Sequence, residues 1–260
     1  RWLDLGIINF QPTEIAKLSV ILYLSSWFMH RERKRFFSFL TLIGVLMLLI
    51  ILQPDMGTAI IVFFLSVIIY YLSGTELVYL LFLIPASTLG FLLLVKISPY
   101  RFRRVLAFFD PTIDPLGITY HINQILISLG NGGLLGQGFG ASRQKYLFLP
   151  EAHTDSIFAI IGEEVGLVGT VILLCVFMYL SYRMFQISNN APDRFGKLLA
   201  GGIFGFFNLQ ILINLAGTVN LIPLTGVPLP FISYGGSNLL VSFILMGILI
   251  NIVKRSRFAY

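Results

Sequence analysis

The chain has 260 residues, 57% of them hydrophobic and only 12% charged, with a mean hydropathy of +0.87. Soluble chains carry about twice that charged fraction, so an ordinary soluble domain is excluded, and so much apolar content excludes disorder. The net charge of +6 raises nucleic acid as a partner, but the apolar runs decide instead for a polytopic membrane protein, and a lone Cys175 rules out a disulfide framework or a zinc ribbon.

A hydrocarbon core of about 30 Å needs roughly 20 apolar residues per helix. Seven stretches meet that need, at about 13–30, 36–53, 56–73, 77–97, 155–181, 198–220 and 237–253. The first is the least apolar, because it carries Glu14 and Lys17. The fifth is longer than a span requires, and Gly162 and Gly166 predict that its first two turns either sit outside the bilayer or break away from the rest. The expectation is an all-α membrane protein forming one integral membrane domain over 1–260.

Lys and Arg mark the cytoplasmic side of short loops. Arg31, Arg33, Lys34 and Arg35 follow the first span, Arg183, Arg194 and Lys197 the fifth, and Lys254, Arg255 and Arg257 the seventh. With seven spans all three groups fall on one side. That puts the C-terminus in the cytoplasm and residue 1 outside, as expected of a fragment whose earlier spans are missing. The long connection of about 98–154 is then extracellular. It carries Arg101, Arg103, Arg104, Arg143 and Lys145, a charge suited to an anionic ligand.

Ionisable groups at membrane depth are costly and mark function by default. Glu14 and Lys17, three apart, share one helix face and form either a structural ion pair or the wall of a cavity. In Gln53-Pro54-Asp55-Met56-Gly57-Thr58, Asp55 is placed to cap the next helix, and Gln53 faces the same compartment. The densest group is Pro150-Glu151-Ala152-His153-Thr154-Asp155, two carboxylates and an imidazole at the start of the fifth span, either an N-terminal cap or an acid/base site. Glu163 and Glu164 read as packing or cavity residues, and His121 as isolated in the outer loop. No His or Cys pair has metal-ligand spacing. The last outer loop holds Pro223, Pro228 and Pro230, then Ser233, Gly235, Gly236 and Ser237. It reads as a re-entrant segment lining a site or as a rigid turn.

Four motifs in order over the whole chain resemble the SEDS family (shape, elongation, division and sporulation). They are Arg1-Trp2 with Gln11-Pro12-x-Glu14-x-x-Lys17; Gln53-Pro54-Asp55-x-Gly57-Thr58; Pro150 to Asp155; and Pro228-x-Pro230-Phe231-x-Ser233-Tyr234-Gly235-Gly236. Ser142-Arg143-Gln144-Lys145 and Ala152-His153 look more like the division and sporulation members, FtsW and SpoVE, than like RodA. Ser156 departs from the family's usual Phe and Asn238 from its commoner Ser.

The resemblance implies seven helices of a ten-helix fold in the bacterial cytoplasmic membrane, working with a class B penicillin-binding protein, other divisome proteins and membrane lipid, and not with nucleic acid. It implies polymerisation of lipid II into a growing glycan strand at the outer face, with Asp155 as the catalytic carboxylate. Trp2, Glu14, Lys17, Gln53, Asp55, Glu151, His153, Ser233, Gly235, Gly236 and Ser237 would line the substrate cavity, and the five basic residues of the long loop would face the pyrophosphate. No tightly bound cofactor is implied, and the leaving group gives a divalent cation (Mg2+ or Mn2+) a role to fill. The rival readings are a lipid II flippase and a non-catalytic scaffold for the penicillin-binding protein.

Overall fold

The computed structural model describes residues 3–4, 9–30, 36–74, 77–109, 117–145, 149 and 151–258. Trp2 lies outside the described residues. A short antiparallel pair, β1 (Leu3–Asp4) and β2 (Asn9–Phe10), precedes α1 (Pro12–Trp27), α2 (Phe36–Leu52), α3 (Met56–Leu72), α4 (Leu77–Ile97), α5 (Pro99–Phe109), α6 (Ile118–Gly132), α7 (Ile157–Asn189), α8 (Arg194–Thr218) and α9 (Gly236–Phe258).

All seven hydropathy stretches are helices. Those within α4, α7, α8 and α9 are long and apolar enough to cross a membrane, while α2 and α3 are shorter apolar helices. The long connection differs from expectation, for it contains α5 and α6. Both are short and amphipathic, so a search for about 20 continuous apolar residues passes over them.

The chain divides into two compact units. The first comprises residues 1–80, 179–210 and 235–260; the second comprises 81–178 and 211–234. In the first unit α8 turns a glycine face to its neighbours. A Cβ at Gly202 would lie 3.1 Å from both Ile21 Cγ2 and Ile69 Cδ1, and one at Gly205 would lie 3.2 Å from Ile68. Small residues let backbones approach where lipid supplies no hydrophobic drive to pack. Tyr70 is fully buried beside them, stacked on Phe39 at 4.5 Å between ring centres.

In the second unit Ile125 of α6, Leu149, Ala152 and the α7 residues Ala159 and Ile160 form one apolar cluster, with Leu224 packed against it. Phe158, Phe177, Ile211 and Leu229 form another. These clusters hold the start of α7 against the 219–234 loop.

A break in α7 organises the rest of this unit. Gly166 sits at φ 67°, ψ −168°. A continuous helix would bond Leu167 N–H to Glu163 O and Val168 N–H to Glu164 O. Here Leu167 N–H donates to Gly133 O (2.9 Å) and Val168 N–H to Leu134 O (3.1 Å), while Gln137 N–H and Gly138 N–H donate to Glu163 O and Glu164 O, each at 3.0 Å. The 133–138 segment therefore inserts into the helix ladder and supplies partners for both donors and both acceptors. Only glycine fits there: a Cβ at Gly136 would lie 2.2 Å from Glu164 O, and one at Gly166 would lie 2.3 Å from Gly136 N.

Candidate functional site

Asp155 is the fifth residue of the turn 151–156 that leads into α7. Glu151 opens the turn at φ 50°, and its carbonyl accepts from Thr154 N–H (3.2 Å) and Ser156 N–H (3.4 Å). Thr154 Oγ1 donates to the Glu151 carboxylate at 2.9 Å. The sequence 151–156 is thus folded on itself before the helix begins.

Three contacts lock this turn to the 219–234 loop. Tyr234 N–H donates to His153 O at 2.8 Å. Ser233 Oγ donates to Thr154 O at 2.6 Å while accepting from Leu229 N–H at 2.7 Å. Asn214 Nδ2, from buried α8, donates to Asp155 O at 2.9 Å and to Val227 O at 2.8 Å. The main chain at Asp155 is therefore fixed from two directions, at its own carbonyl by Asn214 of α8 and at the preceding carbonyl by Ser233 of the loop. Its half-buried carboxylate lies against Gly226, where a Cβ would come within 3.2 Å of Oδ2.

The sequence-predicted residues of the second unit fall into three places. Glu151, His153, Asp155 and Ser233 come together in this interlock. Arg104 of α5 joins them through the 219–234 loop, donating from Nη1 to Leu224 O at 3.0 Å. Arg101 reaches back to Leu94 O at 3.5 Å, and Arg103 is exposed on the same helix.

Arg143 and Lys145 are held elsewhere, on the segment inserted into α7. Lys145 Nζ donates to Glu164 Oε1 at 2.8 Å and to Gly140 O at 2.6 Å. Buried Glu163 accepts from Ser128 Oγ of α6 at 3.2 Å and from Ser142 Oγ, and Arg143 N–H reaches it at 3.4 Å. The Glu163–Glu164 pair thus clamps the 133–145 segment.

The remaining site residues belong to the first unit. Glu14 and Lys17 are 2% and 1% exposed and form an ion pair of 2.7 Å, with Lys17 Nζ 5.4 Å from the centre of the Phe206 ring. Asp55 caps α3, accepting from Thr58 N–H at 3.0 Å and Thr58 Oγ1 at 2.9 Å; Gln53 is exposed in the preceding turn. Ser237 Oγ accepts from Gln11 N–H at 3.1 Å. Gly235 and Gly236 have neither positive φ nor a crowding neighbour, so the need for a glycine falls at Gly226, at φ 73°.

Two functional neighbours escape a sequence reading, and one expectation about them is corrected. His121 is not isolated: its Nε2 lies 2.8 Å from Oγ of buried Ser156, beside Asp155. The small Ser156 side chain accommodates this imidazole contact. Asn214 had a signal, an amide inside an apolar helix, but nothing in the sequence names its partners.

A family model described as "Cell cycle protein", FtsW/RodA/SpoVE, matches residues 1–258. The chain belongs to the FtsW/RodA/SpoVE family. It is 37% identical to the probable peptidoglycan glycosyltransferase FtsW of Geobacter sp. (strain M18) and 36% identical to stage V sporulation protein E of Bacillus subtilis (strain 168). Each alignment covers 99% of this chain and 72% of the relative. The fold is similar to a chain from a structure described as "Structural coordination of polymerization and crosslinking by a peptidoglycan synthase complex", with a TM-score of 0.78 at 29% identity over 98% of this chain and 73% of that one. It is also similar to crystalline Thermus thermophilus RodA, a rod shape determining protein, with a TM-score of 0.65 at 29% identity, covering 99% and 69%. As an FtsW/RodA/SpoVE protein it is a multi-pass membrane protein with a role in cell-wall synthesis.

Proposed function

We propose that this protein is a peptidoglycan glycosyltransferase of the bacterial cytoplasmic membrane that polymerises lipid II at the outer face. The observation that carries the proposal is the Asp155 carboxylate, half-buried against Gly226 on a main chain fixed by Asn214 and by the Ser233–Thr154 bond. A preorganised carboxylate is what a general base requires.

In the proposed reaction an Asp155 oxygen accepts the proton of the GlcNAc 4-hydroxyl on the acceptor. The deprotonated GlcNAc 4-oxygen, not the carboxylate, attacks the anomeric carbon of the donor MurNAc. The bond to the pyrophosphate breaks with inversion, giving a β-1,4 linkage and undecaprenyl pyrophosphate. A diphosphate departs as an anion without a general acid, so one carboxylate suffices. Arg101, Arg103 and Arg104 on α5 are the cations proposed to meet the charge that builds there. Lys145 is held by Glu164 and by Gly140 O, which gives it a smaller part.

Among the described residues no three His, Cys, Asp or Glu side chains converge on a metal position. A class B penicillin-binding protein is the proposed partner, supported by the similarity to a chain from a peptidoglycan synthase complex.

The test uses the full-length protein with its penicillin-binding partner, the partner's cross-linking blocked, and labelled lipid II. Asp155→Asn keeps the shape and removes the basicity. Loss of glycan strands by a factor of about 10² or more, with unchanged thermal stability, is expected. Native rates from the Asn variant would overturn the assignment.

A further inference from the structure

The segment inserted into α7 carries its own apolar tip. Leu134 is 69% exposed, Leu135 82% and Phe139 96%, although none belongs to a membrane-crossing helix. Large side chains so exposed on a connecting segment call for a cover.

The hydrogen bonds fix the depth at which they sit. Leu134 O accepts from Val168 N–H and Gly133 O from Leu167 N–H. Leu167 and Val168 begin the run of α7 that turns apolar side chains outward, 56% and 50% exposed, continued by Val171 and Ile172. Before the break at Gly166 the same helix is lined by Glu163 and Glu164. The tip therefore stands level with the first turn of α7 that turns apolar side chains outward.

Its surroundings match an interface. Exposed Arg143 follows within four residues of Phe139, and Glu163 clamps the segment through Ser128 and Ser142. An aromatic and aliphatic tip beside a cation is the pattern of an interfacial anchor.

We infer that the 133–143 segment inserts Leu134, Leu135 and Phe139 into the adjoining leaflet of the bilayer, with Arg143 at the headgroups. The occupant of this surface is lipid, because the tip is continuous with the lipid-facing run of α7. The wedge that completes the broken helix ladder also anchors it in the membrane, which fixes the height of the turn carrying Asp155.

The test is spin-label accessibility on the full-length protein in nanodiscs of phosphatidylethanolamine and phosphatidylglycerol. Cys175→Ser removes the native thiol. Phe139→Cys and, in a separate protein, Leu135→Cys carry a nitroxide, with labels at Ile172→Cys and Asn190→Cys as lipid and water references. Oxygen is expected to relax the labels at 139 and 135 several-fold more than a water-soluble nickel chelate does, as at 172. Chelate access like that at 190 would overturn the inference. So would low access to both reagents, which would mean a protein surface covers the tip. Position 135 decides the matter if the 139 variant fails to fold.

Discussion

Gly226 has two independent reasons to be glycine. Its φ of 73° is strained for any side chain, and a Cβ would press to 3.2 Å from Asp155 Oδ2. Gly226→Ala is therefore expected to cost about 1–2 kcal/mol of stability and to lower glycan synthesis by far more than so small a loss of fold explains. Thermal unfolding and lipid II turnover on the same preparation measure the two effects. Ser233 bridges two backbone groups, Thr154 O and Leu229 N–H. Removing its hydroxyl by Ser233→Ala leaves both short of a partner, at about 1–3 kcal/mol. The buried Glu14–Lys17 pair gives a test of different form. Either Glu14→Gln or Lys17→Met alone strands a buried charge, expected to destabilise by about 3–5 kcal/mol, whereas the double change removes both charges and is expected to recover most of that loss. A double-mutant cycle in thermal stability reads the coupling directly.

At the scale of elements, α7 shows how a helix can be interrupted while another segment partners its backbone. The break at Gly166 frees two N–H and two C=O groups, and residues 133–138 supply a partner for all four. Gly136→Ala would drive a methyl onto Glu164 O at 2.2 Å, where the obstacle is backbone and has little room to yield. The segment is expected to leave the ladder, exposing amides of 133–145 and 167–168 to rapid hydrogen exchange while those of α8 stay protected. Glu163→Leu should act on the same segment by removing the acceptor of Ser128 and Ser142. The sequence announced half of this arrangement: Gly162 and Gly166 in a helix too long for a span predict a break. The other half was not legible, because the Gly132 to Gly140 run looks like any flexible loop until the partner it fits is in place. Short amphipathic α5 and α6 were passed over for the related reason that hydropathy detects lipid-facing length and not packing.

At the scale of the whole molecule, the seven apolar stretches became helices because in hydrocarbon a backbone must satisfy its own hydrogen bonds, and that requirement is local to each stretch. The helical stretches, the membrane class, the Asp55 cap on α3 and the Glu14–Lys17 pair all rest on local sequence, and all were readable from composition and spacing. The family was readable as well, because its motifs are contiguous. What tertiary structure alone decided is how residues far apart in sequence meet. Asn214 holds Asp155 across 59 positions, Ser233 holds Thr154 across 79, and Arg104 reaches Leu224 across 120. It likewise drew His121 onto Ser156 and bound Lys145 to Glu164. A sequence states which groups need partners, since an amide in an apolar helix or a carboxylate at membrane depth cannot be left unsatisfied. Which of several chemically equal partners each group receives depends on the packing of the whole chain, and it is that choice which places a carboxylate against a glycine at the candidate site.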